Sequence, residues 1–582
     1  MHPSRGIPRT HPWKGRRVNL FSTISESILK AYPELEAADL IFGTPPNLDL
    51  GDVAIPMFLP ARKLRTAPPK LAAEAAARIA FGPEVSGATA AGPYLNLSLD
   101  RSATGARIVN AVLEQADRFG SNASGEGRSM LIEHTSINPN ASPHVGRGRC
   151  AMIGDSMTRL FRFEGFDVEV HYYVNDMGRQ IGLLVLIADE IANLDFNGIL
   201  DAYVRANAQA EADPEFAARG YELLVKMEEG DTDAQQRFKA VTDLCLKGQL
   251  QVLSRVGASY DHFDRESKYV NDPRMEQVEG KLRERGSLFT DDDGRLVADL
   301  SHLGYAPEEG RFFVLKRANG SSMYGYRDIA YSLDKIARGT DVNLMILGED
   351  HKLYAQQVGL ILEAAGYPAP EVIYYSYILL KDGKMSTRQG KVVLLADFLD
   401  QASALAVERV AEQCPELTPE EQRAIAETVA VSAIRFAVLR VKPSKNVTFD
   451  MEAALSFPGD TGPYVQYCCA RINSILRKSG TALPTAATAA FTSVQDAEWA
   501  LLMKIASFPS VIAESVSQRT CAPIANFSLD LAHQFTAFYH DCPVLKAENA
   551  AQTESRLLIC RAALQTLKNA LDLLGISAPE RM

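Results

Sequence analysis

Leu131 to Gln180 constrains the fold more than any other stretch of this chain. It opens on a short apolar run, Met130-Leu131-Ile132, crosses a polar, proline-containing segment from Glu133 to Pro143, and then places Ile153, Met157, Leu160 and Phe161 at helical spacing. That order reads as strand, loop and helix. In a doubly wound sheet such a unit carries its loop to the carboxyl edge of the strands, where the first N–H groups of the helix and its dipole favour an anion. Phosphate is the natural guest. His144 and Arg147 are three residues apart at the helix start and share a face, and Gly146 between them lets a ligand approach the backbone. A helix cap and a solvated charge use the same residue types, so the fragment alone leaves both readings open.

The length of 582 residues predicts several domains, and 46% hydrophobic with 23% charged residues predicts a soluble globular chain. A net charge of −11 speaks against a protein that coats nucleic acid indiscriminately, although local basic surfaces remain compatible with it. The eight cysteines form no CxxC pair, which points to a reducing compartment with neither a zinc site nor a disulfide framework. No apolar run reads as long enough to span a bilayer. Residues 1–17 carry five basic residues and no acid but lack the apolar core of a secretory signal; they read as a disordered arm, with a transit peptide or RNA-touching tail as the alternative.

Several further strings stand in a fixed order: MYGYRDIAYSLDK from Met323, GEDHKLYAQQV from Gly348, KMSTRQGKVV from Lys384, FDMEAALSF from Phe449 and GDTGPYVQYCCARINSILRK from Gly459. His144-Val145-Gly146-Arg147 resembles the HIGH signature of class I aminoacyl-tRNA synthetases, and Lys384-Met385-Ser386-Thr387-Arg388 resembles their KMSKS loop. With the strings between them, the chain resembles arginyl-tRNA synthetases over nearly its whole length. Two positions depart from the commonest pattern: Arg147 replaces the second His of HIGH, and Thr387, followed by Arg388, replaces the second Lys of KMSKS. Arg147 can still donate to phosphate, and more rigidly than His.

The resemblance implies an α/β fold: a class I Rossmann-type catalytic domain with a helical insertion, an N-terminal α+β module and a C-terminal all-α bundle. The expected divisions are an arm over 1–17, an additional tRNA-elbow domain over 18–120, a linker over 121–129, a catalytic domain over 130–395 with an insertion at about 188–258, and a helical anticodon-binding domain over 396–582. Composition supports the linker, which is rich in Gly and Ser, and the helical periodicity of the insertion and of the region beyond Ala396. Helices are expected over Pro419 to Val441, Gly462 to Ser479, Ala497 to Val516, Ser528 to Phe538 and Gln552 to Leu574. Thr418 and Pro419 supply the cap and first position of the first of these.

The implied activity is arginine–tRNA ligation, with L-arginine, Mg-ATP and tRNA(Arg) as partners, no protein-bound metal, no membrane, a monomeric state and a cytoplasmic setting. His144, Arg147 and Lys384 would be catalytic, and Gly146, Met385 and Ser386 would join them around ATP. Tyr324 and Asp328, four apart on one helical face, would hold the guanidinium, with Gln357 and Glu133 as further pocket residues and Asn138 near the substrate amine and carboxylate. Without the resemblance, Asp328 reads as a cap or a salt-bridge partner of Arg327 or Lys335. His351 reads equally as a ligand or a structural residue, and His171, His533 and His540 as structural.

Basic residues outnumber acids between Arg435 and Lys478, and Tyr464 and Tyr467 offer faces for an unstacked base. Arg435, Arg440, Tyr464, Gln466 and Arg471 are therefore expected to meet tRNA, the competing reading being that the tyrosines are core. Arg62, Lys63 and Arg65 form a smaller basic cluster in the N-terminal module. Two other functions fit the motifs: a paralogue making arginyl-adenylate or arginyl-tRNA for another purpose, and a catalytically silent RNA-binding protein.

Overall fold

The computed structural model describes residues 20–43, 45–305, 307, 309–381, 393–480, 491 and 493–582. The chain forms two compact units. One holds the residues up to Phe119 with Ile472–Pro509 and His533–Thr566; the other holds Gly120–Arg471, Ser510–Ala532 and Leu567–Met582. The C-terminal helices are thus shared between the units, which cut across the boundaries expected from the sequence.

The second unit is built on five parallel strands in the order Glu371–Tyr375, Val342–Gly348, Ser129–His134, Asp167–Val174 and His262–Arg265. Met130, Leu131 and Ile132 are fully buried, as residues of a parallel strand covered on both faces must be. The chain builds outward from Ser129–His134 in one direction and returns on its other side with Val342–Gly348. The topological switch therefore lies between these two strands, and the loops leaving their carboxyl ends define a crevice.

Between Asp167–Val174 and His262–Arg265 the chain inserts the helices Phe196–Ala212, Pro214–Glu228 and Thr232–Arg255. Each starts on an aspartate whose carboxylate accepts backbone N–H groups: Asp195 from Gly198 at 2.8 Å, Asp213 from Phe216 at 3.2 Å and Asp231 from Ala234 at 2.8 Å. Their apolar faces close over Ile181, Leu184, Ile199, Leu224 and Phe238. Further on, an antiparallel sheet of Leu288–Thr290, Leu296–Asp299 and Phe312–Lys316 precedes the helix Tyr324–Ala337.

Leu395–Gln413 and Pro419–Leu439 pair through small residues, including Ala402, Ala406, Ala426 and Ala430, all fully buried. Thr418 caps the second helix in a reciprocal box with Glu421, as the sequence predicts. Helices also form over Gly462–Ser479, Ala522–Asp541 and Ala550–Leu573. The helix expected over Ala497 to Val516 is broken at Ser507 into Asp496–Ala506 and Phe508–Gln518. By length and hydropathy the run Asp496–Gln518 would suffice to cross a membrane, which corrects the sequence reading; Trp499, Leu501, Leu502, Ile505, Phe508 and Ile512 within it are instead core residues of the fold.

In the first unit, Val53–Pro56, Tyr94–Leu99 and Val85–Ala91 form an antiparallel sheet. The buried Asp52 carboxylate accepts the Leu99 N–H and the Trp499 indole N–H, each at 2.7 Å, so this sheet and Asp496–Ala506 share a hydrogen-bonded core. Arg62, Lys63 and Arg65 are exposed, but the Lys63 ammonium is already paired with Asp39 at 2.8 Å and Glu36 at 3.4 Å.

Candidate active site

A cleft of about 740 Å³ opens at the switch point. Glu133 and Asn138 enter it from the end of Ser129–His134 and its loop, and Asp350 and His351 from the end of Val342–Gly348. Arg147 reaches it from the first turn of the helix Val145–Phe163, and Tyr324 and Asp328 from the first two turns of Tyr324–Ala337. Five residues singled out in the sequence for catalysis or arginine binding (Glu133, Asn138, Arg147, Tyr324 and Asp328) thus line one cavity.

The wall holds two buried carboxylates, Glu133 and Glu266, and a half-buried one, Asp328, in different electrostatic states. Glu133 forms a buried ion pair with Lys335, whose ammonium also lies 4.4 Å from the Tyr331 ring centre. Glu133 thus lines the pocket, as expected of it, with its charge already met by Lys335. Glu266 accepts from Arg327 Nε at 2.6 Å; burial pushes its pKa up to about 7, against the pull of that guanidinium. Asp328 makes no ion pair among the described residues and accepts a hydrogen bond from the Tyr354 hydroxyl at 2.5 Å. Burial, with the Glu133 charge acting the same way, raises the Asp328 pKa, while the phenol bond opposes the rise. A carboxylate half withdrawn from water without a cation carries a desolvation cost, so Asp328 is poised to accept one.

His144 sits at the helix N-cap position, half-buried, with a side chain that does not cap. Burial depresses its pKa, Arg147 adds to the depression, and Asp350 opposes it, so the ring is neutral near pH 7. Gly146 serves this ring: a Cβ there would come within 2.9 Å of His144 Cε1. Neither His144 nor Gly146 is part of the cavity lining itself.

Lys384, Met385 and Ser386, with Thr387 and Arg388, lie outside the described residues. The chain that follows them is anchored at the His144 motif. Val145 N–H donates to the Val393 carbonyl at 3.0 Å, Leu395 N–H to the Pro143 carbonyl at 2.8 Å, and His144 and Leu394 form an antiparallel bridge.

Three expectations are corrected by burial. Gln357 turns its amide to the Gly310 carbonyl, 2.5 Å away, and lies outside the cavity lining. Arg435 has no exposed side-chain surface: it bonds Asp155 at 2.6 Å, Ser156 at 2.9 Å, the Leu574 carbonyl at 2.5 Å and the Val256 carbonyl. Gln466 is also fully buried and donates to the Ser577 carbonyl at 2.8 Å. A side chain with no exposed surface cannot meet a phosphate. Arg440, Tyr464 and Arg471 keep partial exposure, Arg440 donating to the Asp460 carbonyl at 2.7 Å, and Tyr467 is 40% exposed.

The sequence reading missed Glu266, Arg327, Tyr354 and Lys335. Arg327 and Lys335 lie in the same helix as Asp328, three residues from Tyr324 and seven from Asp328, so helical periodicity could have flagged them. Glu266 and Tyr354 come from other elements and carry no local signal.

A parallel sheet with an insertion, a HIGH-like helix start at its switch point and the downstream chain anchored beside that motif define a class I aminoacyl-tRNA synthetase. The family profile "tRNA synthetases class I (R), catalytic domain" matches residues 108–451, the "DALR anticodon binding domain" 465–582 and the "Arginyl tRNA synthetase N terminal domain" 19–99. The chain is 35% identical to an arginine–tRNA ligase of Methanosarcina acetivorans, covering 96% of this chain and 99% of that one. Among solved structures, the arginyl-tRNA synthetase of Thermus thermophilus is similar with a TM-score of 0.81 and 28% identity, over 98% of this chain and 100% of that one. That of Plasmodium falciparum shares the fold with a TM-score of 0.74 at 18% identity, over 97% and 99%. The chain belongs to the arginyl-tRNA synthetase family.

Proposed function

We propose that this chain is an arginine–tRNA ligase that uses ATP, as its magnesium complex, to charge tRNA(Arg) for translation. The observation that carries the substrate assignment is Asp328, a half-buried carboxylate on the cleft wall with no ion pair among the described residues. A guanidinium supplies planar donors matched to a carboxylate, and Tyr324, 55% exposed on the same helix, borders the space it would occupy. Lysine would leave part of this acceptor set unmet, the kind of mismatch that gives large discrimination.

In the first step an oxygen of the arginine carboxylate attacks the α-phosphorus of ATP; the bond to the β-phosphate oxygen breaks and pyrophosphate leaves. In the second, a hydroxyl of the terminal adenosine of tRNA attacks the arginyl carbonyl, and AMP leaves. Catalysis of the first step rests on placing the reactants and on stabilising negative charge on the departing phosphates. Arg147 on the cleft wall and His144 at the helix start serve the phosphates from one side. Lys384, Met385 and Ser386 serve them from the other, a role supported by the anchoring of Val393–Leu395 beside His144. Asn138, whose carboxamide oxygen accepts from Asn175 at 3.0 Å, borders the substrate amine and carboxylate.

Arg440, Tyr464 and Arg471 contribute to tRNA contact; of these Arg471 lies within the match to the DALR profile, while Arg440 lies within the catalytic-domain match. The divisions at 18–120, 130–395 and 396–582 are kept as functional modules, with the enzyme acting as a cytoplasmic monomer. ATP–pyrophosphate exchange and transfer of labelled arginine to tRNA, each run with and without tRNA(Arg), test the reading. Arginine-dependent charging supports it. Exchange without charging would favour a paralogue with another purpose, and neither activity would favour an RNA-binding role.

A further inference from the structure

Behind the cleft, the edge of the parallel sheet carries a cluster that catalysis does not use. His171 and His262 face each other in register on Asp167–Val174 and His262–Arg265, and their rings stack at 4.6 Å. Glu169, two residues before His171, projects from the same face of its strand. Its Oε2 lies 3.3 Å from His171 Nε2 and 3.8 Å from His262 Nε2. The other ring nitrogen of His171, Nδ1, lies 2.5 Å from Asp264 Oδ2. A carboxylate only accepts, so Asp264 holds the Nδ1 side of His171 and leaves its Nε2 facing Glu169.

We propose that Glu169, His171 and His262 form a binding site for a divalent first-row transition metal, with zinc the best match. Two imidazole nitrogens and one carboxylate oxygen are zinc's ordinary donors, leaving a fourth position for water. One donor atom from each residue lies within 4.8 Å of the others. Metal bonds of about 2.0–2.2 Å place tetrahedral donors about 3.4 Å apart, so the cluster closes with shifts of about an ångström. His262 and Glu169 are each 41% exposed and can make them, while the buried His171 is held by Asp264 in the carboxylate–histidine arrangement common at such centres. Arg338 Nη1, 3.2 Å from Glu169 Oε2, takes the place of the cation until metal binds.

The consequence is structural. His262–Arg265 is the sheet's edge strand, and Asp264 within it accepts from the hydroxyl of Tyr331, a cleft residue, at 3.1 Å. A metal joining His262 to Glu169 and His171 fastens this strand and, through Asp264, the floor of the cleft.

The test uses the full chain, stripped with a chelator, titrated with Zn2+ against a chromogenic competitor and with Co2+ followed by its visible absorption. The expected result is one ion per chain, a four-coordinate Co2+ spectrum and a thermal midpoint raised by the metal. His262→Gln, at a half-exposed position, weakens binding about 100-fold or more, and Asp264→Asn about tenfold, the range for loss of a group that orients a ligand. Arg338→Gln tightens binding severalfold by removing the competing cation. Stoichiometric binding unchanged in His262→Gln would place the ion elsewhere, for example on His2 or His11 of the terminal arm or on cysteines, and overturns the proposal. Absence of binding in the parent overturns it equally.

Discussion

The cleft at the switch point and the basic stretch from Arg435 to Arg471 look alike as sequence: both put charged and aromatic residues inside family motifs. As structure they differ. In the cleft, Asp328 is half-buried with no ion pair among the described residues and borders open volume. In the basic stretch, Arg435 is buried and saturated, its guanidinium divided among Asp155, Ser156 and the carbonyls of Leu574 and Val256. A motif residue is held in place by ligand or by fold, and the partners of its charge tell which. Arg435 belongs to the second kind; the proposed arginine contact puts Asp328 in the first.

Variants separate the two kinds. Lys384→Ala gives the largest expected effect, slowing adenylate formation about 10²–10³-fold with little change in ATP affinity, as for loss of one donor to developing charge; pre-steady-state exchange measures it, and unchanged turnover removes Lys384 from the catalytic set. Asp328→Asn is expected to raise the arginine KM about 100-fold, on the order of 3 kcal/mol for a charge-assisted pair, and to leave the ATP KM alone. Equal effects on both substrates would move Asp328 into the structural class.

Arg435→Met should behave oppositely. It takes the buried guanidinium from the Asp155 carboxylate, which keeps only the part-exposed Arg159 at 2.9 Å, and is expected to cost about 3 kcal/mol of stability, read as a lowered unfolding midpoint, before any change in tRNA affinity of the folded fraction. Normal stability with weakened tRNA binding would erase the distinction drawn here. Glu266 gives a smaller, pH-dependent signature. Its pKa of about 7 lies above the ordinary carboxylate value, so it is neutral below pH 7 and anionic above. A guanidinium substrate favours the anion, so arginine affinity should fall about tenfold from pH 8 to pH 6, while Glu266→Gln flattens the profile over that window. Calorimetry across the range decides it. The smallest effects belong to Arg440→Ala and Arg471→Ala, each raising the tRNA KM severalfold without moving the unfolding midpoint.

Local pattern made much of this molecule legible. Strand, loop and helix around His144, the Thr418 cap and the one-face spacing of Tyr324 and Asp328 are short-range properties, and all three are present in the structure. The fate of a charge is not short-range. Lys335 meets Glu133 across 202 positions of sequence and Arg435 meets Asp155 across 280, so neither neutralisation could be read from composition or spacing. The same holds for Gln357, which is drawn to the Gly310 carbonyl rather than into the cleft. The break at Ser507 is a local property as well: Pro509, in the first turn of Phe508–Gln518, has no N–H to donate and its ring crowds the carbonyl four residues back, so one continuous helix cannot run through it.

The Arg435 guanidinium bonds both Asp155, in the middle of the helix that begins at the His144 motif, and the carbonyl of Leu574, near the far end of the polypeptide. Trimming the tail or appending a tag close behind Leu574 is therefore an intervention on the rod that carries the HVGR tetrapeptide. Kinetic defects in such derivatives should be traced to this rivet before they are blamed on lost RNA contacts.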